Sequence, residues 1–198
     1  MGQLSNTGAL DRRDVVKALL QDRGDILVVS GLGSPSYDVM AAGDHDNNYY
    51  LWAAMGSAAT VGLGVAASRP DRKVVVVTGD GEMLMGLGAL ATIAVQKPNN
   101  LSIVVLDNGH YGETGMQLSH AGKGIQLHKI AQACGFDWSA EVETMDAVRE
   151  YRQRIHAVES LNFATVKIDS NSHPRVIPPR DGVYIKNRFR AALGFAPN

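Results

Sequence analysis

Two short polar stretches stand where the chain leaves an apolar run. Gly79-Asp80-Gly81 comes just after Val74-Val75-Val76-Val77, and Asp107-Asn108-Gly109-His110 comes directly after Ile103-Val104-Val105-Leu106. Each combines a hard oxygen donor with glycine. Glycine lets a backbone approach a ligand closely, carboxylate and amide oxygens suit Mg²⁺, and the start of a helix favours phosphate. An isolated Gly-Asp-Gly reads equally well as an aspartate N-cap between turn glycines. The spacing shifts the balance toward chemistry: one helix and one strand separate Asp80 from Asn108, which puts both polar groups on the same rim of adjacent parallel strands, where they can share one cation. Ligands of open parallel sheets bind beyond the carboxyl ends of the strands. Two further segments meet that condition, Ser30–Ser36 and the long stretch Asp107–Gly124, which carries Gly109, Gly112, Gly115, Gly122 and Gly124 and shows no periodicity. Connections of that length are unusual in compact domains, so it is a candidate cofactor or substrate loop and is expected to be mobile without ligand.

The elements that must hold these loops follow from hydrophobic pattern. Residues 14–20 place Val15, Val16, Leu19 and Leu20 on one helical face, ahead of a strand over 26–29. The runs 74–77 and 103–106 are too short for helices and are apolar throughout, as in strands covered on both faces. Between them one helix is predicted over 82–96, closed by Lys97-Pro98-Asn99-Asn100. The alternation continues with a helix near 126–134, a weak strand near 137–142, a helix near 145–158 and a strand over 163–168. The tail 178–198, entered through Pro178-Pro179, is expected to end in a short helix over 183–193. The fold class is thus α/β, one three-layer domain over 1–198 with a mostly parallel sheet.

Composition excludes other classes. The chain is 45% hydrophobic and 20% charged, and its 19 Lys+Arg against 20 Asp+Glu give a formal charge of −1, with no basic run to follow a nucleic-acid backbone. The single cysteine, Cys134, can form neither an internal disulfide nor a zinc cluster, and a reducing cytoplasm is expected. The N-terminus lacks the basic start and apolar core of a signal peptide. The most apolar helical stretch, 53–68, is mostly Ala, Gly, Ser and Thr and falls short of the ~20 apolar residues of a membrane span. Gly62-Leu63-Gly64-Val65-Ala66-Ala67 matches a dinucleotide fingerprint in form only. No strand leads into it, and it reads as a closely packed helix. The six histidines do not fall at metal-ligand spacing.

Gly79-Asp80-Gly81 with the downstream Asp107-Asn108 resembles the thiamine-diphosphate motif, in which Gly-Asp-Gly and a later Asn-Asn grip Mg²⁺ and a diphosphate. The likeness covers most of the chain. It extends to the β-subunit, or cofactor half, of sulfopyruvate and phosphonopyruvate decarboxylases, whose second motif looks like Leu106-Asp107-Asn108-Gly109 followed by Tyr111-Gly112-Glu113-Thr114-Gly115-Met116-Gln117. The resemblance implies thiamine diphosphate and Mg²⁺ as cofactors, with Asp80, Asn108 and the backbone carbonyl of His110 as metal ligands. Gly33 and Ser34, in Gly31-Leu32-Gly33-Ser34, would meet the diphosphate, as would Gly79, Gly81, Tyr111 and Gly112. Met55, in Ala54-Met55-Gly56, would bend the cofactor, although a lone Met is by itself core filler. Glu82 belongs to the diphosphate loop, and its charge is expected to turn away from the phosphates. Met55, His110 and Glu113 are the candidate catalytic residues. Asp107 departs from the family pattern by replacing the first Asn.

The activity implied is decarboxylation of a small 2-oxo acid. An acetolactate synthase-like carboligase subunit and a non-catalytic Mg²⁺/phosphate-binding module are the rivals. The family also needs a glutamate on the aminopyrimidine, carried by a separate pyrimidine-binding domain. With no motif for it in this chain, a pyrimidine-binding α subunit is the expected partner, in a hetero-oligomer, with no nucleic-acid or membrane partner.

Overall fold

The computed structural model describes residues 9–157 and 160–196. The expectation for the extreme N-terminus and the final residue of the helix predicted to 158 lie outside the described residues. In chain order the elements are α1 (Arg12–Leu20), β1 (Leu27–Ser30), α2 (Ser34–Ala41), β2 (Asn48–Tyr50), α3 (Ala58–Ser68), β3 (Val74–Gly79), α4 (Asp80–Met85), α5 (Ala89–Gln96), β4 (Leu101–Asp107), β5 (His110–Tyr111), β6 (Gln117–Leu118), α6 (Leu127–Cys134), β7 (Trp138–Val142), α7 (Met145–Ala157), β8 (Asn162–Lys167) and α8 (Gly182–Ala192).

Six strands form one parallel sheet in the order β2-β1-β3-β4-β8-β7. Alternate residues of each central strand enter opposite cores, as the twofold period of a strand requires. Val74, Val76, Ile103 and Val105 pack with Leu90 and Ile93 of α5 and Leu127 of α6. Val75, Val77, Val104 and Leu106 pack on the other face with Val15 and Leu19 of α1, Val39 of α2 and Tyr151 of α7. This double burial is why the strands read as unbroken apolar runs. The strand order reverses between β1 and β3: the chain leaves β1 for the edge strand β2 and returns to β3, so the loops after β1 and β3 diverge and leave a crevice between them.

Two sequence expectations need correction. The helix predicted over 82–96 is two, α4 and α5, broken at Gly86-Leu87-Gly88. A β-carbon on Gly86 would stand 2.0 Å from the Gly56 carbonyl oxygen, so the chain breaks where the loop before α3 crosses it. Ser34 and Pro35 are the first residues of α2, Pro fitting there because an N-terminal helical N–H has no intrahelical partner to lose. The stretch 107–124 is not featureless: β5 and β6 pair as a small antiparallel hairpin, with tight 3₁₀ turns at Gly112–Thr114 and Ala121–Lys123. Strand β2 was not anticipated at all. It is three residues long and too short for a periodic signal.

Gly62 shows how closely α3 lies on the sheet, since a β-carbon there would fall 2.2 Å from Val76 Cγ2, whereas at Gly64, on the same helix, it would meet nothing within 4 Å. Replacing Gly62 with Ala is expected to cost about 1–3 kcal/mol by overpacking, and Gly64→Ala to be neutral or stabilising by about 0.5–1 kcal/mol. Urea denaturation of the two variants checks this, and equal destabilisation would refute the packing argument.

Candidate functional site

Strand β3 delivers Asp80 to the rim as the first residue of α4, where only 2% of it is exposed. Its Oδ2 accepts a 2.5 Å hydrogen bond from Ser119 Oγ, itself fully buried. No cationic side chain lies within ion-pair distance of Asp80 among the described residues. Burial, reinforced by the nearby Asp107 carboxylate, pushes the Asp80 pKa up to about 6, against the opposing effect of the Ser119 bond. A buried carboxylate without countercharge is costly, and a divalent cation beside it removes the cost. The donor set therefore suits Mg²⁺, a hard ion that takes one or two protein oxygens and leaves the rest to phosphate and water. No cluster of three His, Cys, Asp or Glu side chains suited to a metal exists among the described residues, so the protein alone does not complete a cage.

Asn108 follows β4, the strand paired to β3. Its Oδ1 accepts from the His110 N–H at 2.9 Å, and His110 Nδ1 lies 2.7 Å from the Asn108 carbonyl oxygen. The imidazole is thus folded onto its own turn, and the His110 backbone carbonyl is left as that residue's candidate ligand. Asp107, only 3% exposed, faces elsewhere: Oδ1 accepts from the Gly109 N–H at 2.9 Å, and Oδ2 pairs with Lys167 Nζ at 2.7 Å. The lysine at the end of β8 neutralises the charge that this sequence introduces in place of Asn.

The crevice wall after β1 is the start of α2. Gly33, its N-cap, has φ +79° and ψ −134°, a conformation open to glycine, and no side chain caps the helix. In the first turn Pro35 has no N–H and the Ser36 and Tyr37 N–H groups donate to the Gly33 carbonyl at 3.0 and 3.2 Å, so the Ser34 N–H and hydroxyl are the groups the helix end offers a phosphate. Gly79 and Gly81 line the same cleft, with Met55, Tyr111 and Gly112. A β-carbon on Gly81 would stand 2.7 Å from the Tyr111 ring, so this glycine is required by the protein itself. One on Gly79 would meet no protein atom closer than 3.8 Å, and the space its absence keeps open is cleft space. These observations fit a diphosphate. Met55 sits half-buried in the loop before α3 rather than on that helix, on a segment bent by positive φ at Ala53 and Gly56.

Glu82 is 4% exposed and turns into the protein. Oε2 accepts from Thr78 Oγ1 at 2.7 Å, Oε1 lies 3.4 Å from the Ala58 N–H at the start of α3, and Gly31 lacks the β-carbon that would overlap the carboxylate. Burial raises its pKa, with Thr78 opposing. Its contacts serve the cleft wall. Glu113 lies on the exposed side, near Ser34 and Arg175. Sequence reasoning missed Ser119, whose partner is 39 positions away and leaves no local signal. It also missed Lys167, which was legible as a charge breaking the apolar strand 163–168 at its rim end.

With this geometry in view, residues 37–166 match the family model described as thiamine pyrophosphate enzyme, C-terminal TPP binding domain. The chain is 34% identical over 185 residues to sulfopyruvate decarboxylase subunit beta of Methanocaldococcus jannaschii, covering 92% of this chain and 96% of that one. It is 38% identical over 180 residues to phosphonopyruvate decarboxylase of Streptomyces viridochromogenes, where it spans 87% of this chain but 43% of the relative. Among solved structures, benzoylformate decarboxylase from Polynucleobacter necessarius superposes with a TM-score of 0.67 at 23% identity, over 83% of this chain and 34% of that one, a likeness of fold. The motif at the ends of β3 and β4 and the family match agree: this chain belongs to the thiamine pyrophosphate enzymes, as a C-terminal TPP binding domain.

Proposed function

We propose that the chain, as one domain over 1–198, is the cofactor-binding subunit of a thiamine-diphosphate-dependent decarboxylase of small 2-oxo acids of the sulfopyruvate or phosphonopyruvate kind, working with a partner subunit in the cytoplasm. The observation that carries this reading is the nearly end-to-end match to a protein named as a beta subunit, while a relative named as the whole sulfopyruvate decarboxylase, from Methanosarcina acetivorans, is about twice as long and matched over 47% of its length. No helix among the described residues is long and apolar enough to cross a membrane.

The chemistry supplied by bound thiamine diphosphate is an electron sink for loss of CO₂ from a 2-oxo acid. The residues of this chain bind and orient. Asp80, the Asn108 side chain and the His110 carbonyl would hold Mg²⁺, with Ser119 fixing the Asp80 carboxylate. The Ser34 N–H and hydroxyl at the start of α2, with Gly33, would take the phosphate charge, and Gly79 and Gly112 give the backbone room to approach it, Gly81 keeping Tyr111 in place beside them. Met55 and Tyr111 offer apolar surface to the rings and keep water from them. Glu82 is committed to Thr78 and α3, and Glu113 stands beside Ser34 at the diphosphate end of the cleft, so neither carboxylate is placed to work on an aminopyrimidine. That proton-handling group is assigned to the partner.

Two outcomes are expected. The folded-state pKa of Asp80, about 6, exceeds its ordinary value of 3.8, so the ligand-free fold binds the extra proton and loses stability as pH rises between those values. At pH 7.5 Asp80→Asn should therefore be more stable than the wild type, by up to about 3 kcal/mol, and melt at a higher temperature, while losing Mg²⁺-dependent cofactor binding. Wild-type binding should strengthen as pH rises through 6. Calorimetry and thermal melting between pH 5 and 7.5 decide it, and a folded Asp80→Asn protein with normal Mg²⁺-dependent affinity would remove Asp80 from the metal site. Second, the purified chain should turn over no 2-oxo acid until a pyrimidine-binding subunit is added. Robust decarboxylation by this chain in a preparation free of other proteins would overturn the two-subunit reading.

A further inference from the structure

Glu113 stands where an anion belongs. It lies in the tight turn Gly112–Thr114 between β5 and β6, and its side chain reaches across the cleft to the start of α2. Oε1 accepts from Ser34 Oγ at 3.4 Å. The Glu113 Cγ, Oε1 and Cδ atoms lie 3.0, 3.1 and 3.3 Å from the point where a β-carbon on Gly33 would stand. Gly33 is an N-cap without a side chain, so the carboxylate of Glu113 brings to α2 the negative charge its N-terminus otherwise lacks. The other oxygen, Oε2, lies 3.3 Å from Arg175 Nη2, and the Arg175 guanidinium rests 5.7 Å from the centre of the Tyr37 ring. Arg175 comes from the segment after β8, beyond the 37–166 region shared with the family model.

We infer that Glu113 holds the place of a phosphate: a Mg²⁺-bound diphosphate entering the cleft displaces the Glu113 carboxylate from the start of α2, and Arg175 passes from the carboxylate to the outer phosphate. The inference rests on the diphosphate reading of the cleft and assigns two residues that reading does not use. Two anions cannot share one uncapped helix end, because like charges a few ångströms apart repel strongly in a partly desolvated cleft. The carboxylate is the weaker claimant. Its contacts are long for charge-assisted hydrogen bonds, and a third of its side chain is exposed, whereas a phosphate carries more charge and can take the Ser34 N–H, the Ser34 hydroxyl and the Arg175 guanidinium together. The segment that must yield is built to do so. Residues 112–118 are exposed, and positive φ at Gly115 and at Met116, +117° and +61°, marks a turn held in an uncommon conformation. Arg175, 63% exposed at its side chain, pivots without leaving a core. Glu113 is thereby a competitor of the ligand, the opposite of a catalytic group.

Isothermal titration of the full chain with Mg²⁺ and inorganic pyrophosphate, repeated with thiamine diphosphate, separates the two roles by binding alone. Glu113→Gln is expected to tighten pyrophosphate binding by about threefold, the size of an exposed ion pair. Arg175→Gln is expected to weaken it by about tenfold, the size of a charge-assisted phosphate contact, and in that background the gain from Glu113→Gln should shrink. Unchanged or weaker binding by Glu113→Gln, with a wild type that binds, overturns the inference and leaves the diphosphate site standing. A wild type that binds neither probe, with Asp80→Asn equally silent, overturns both.

Discussion

The Asp80 carboxylate is almost shut off from water at the end of β3, with a hydroxyl for a partner and, among the described residues, no cationic side chain within ion-pair distance. Much of the surrounding structure keeps it in that condition. Val74 to Val77 pin β3 between β1 and β4 and fix where the strand stops, and the break after α4 lets the loop carrying Met55 cross close by. Ser119 arrives from beyond the hairpin to orient the carboxylate. A ligand-free protein would be more stable with a neutral group at this position, so the arrangement makes sense as preparation for a bound cation, with stability given up for function.

The reversal of strand order does the rest of the positioning. Because β1 and β3 are neighbours whose connections leave on opposite sides, the uncapped start of α2 and the Asp80 loop face one another across a crevice. Sheet register then brings Asn108 alongside, Gly79 standing opposite Leu106. One feature is a charge source, the second a charge sink, and a cation with a diphosphate satisfies both.

The central strands and the paired motif were legible because each has a local cause: unbroken β-branched runs for burial on both faces, and glycine with hard oxygen donors at strand ends. Features that depend on chain crossings were not. The division of 82–96 into α4 and α5 is caused by the carbonyl of Gly56, thirty positions from Gly86, and nothing in the helical stripe foretells it. Ser119 is likewise defined by its distant partner. Strand β2 exists because β1 offers it a parallel edge, and its three residues carry no pattern of their own. Lys167 is intermediate: its charge in an apolar strand is conspicuous, but only the sheet reveals that Asp107 is its counterpart.

That pairing also constrains how this sequence can drift. Asp107 is nearly buried, Lys167 about a third exposed at its side chain, and each offsets the charge of the other. Changing Asp107 alone to Asn leaves the Lys167 ammonium to water, and changing Lys167 alone leaves Asp107 a buried carboxylate without its cation, near that of Asp80. The two positions on β4 and β8 are therefore coupled through charge, so that the cost of exchanging one depends on which residue stands at the other.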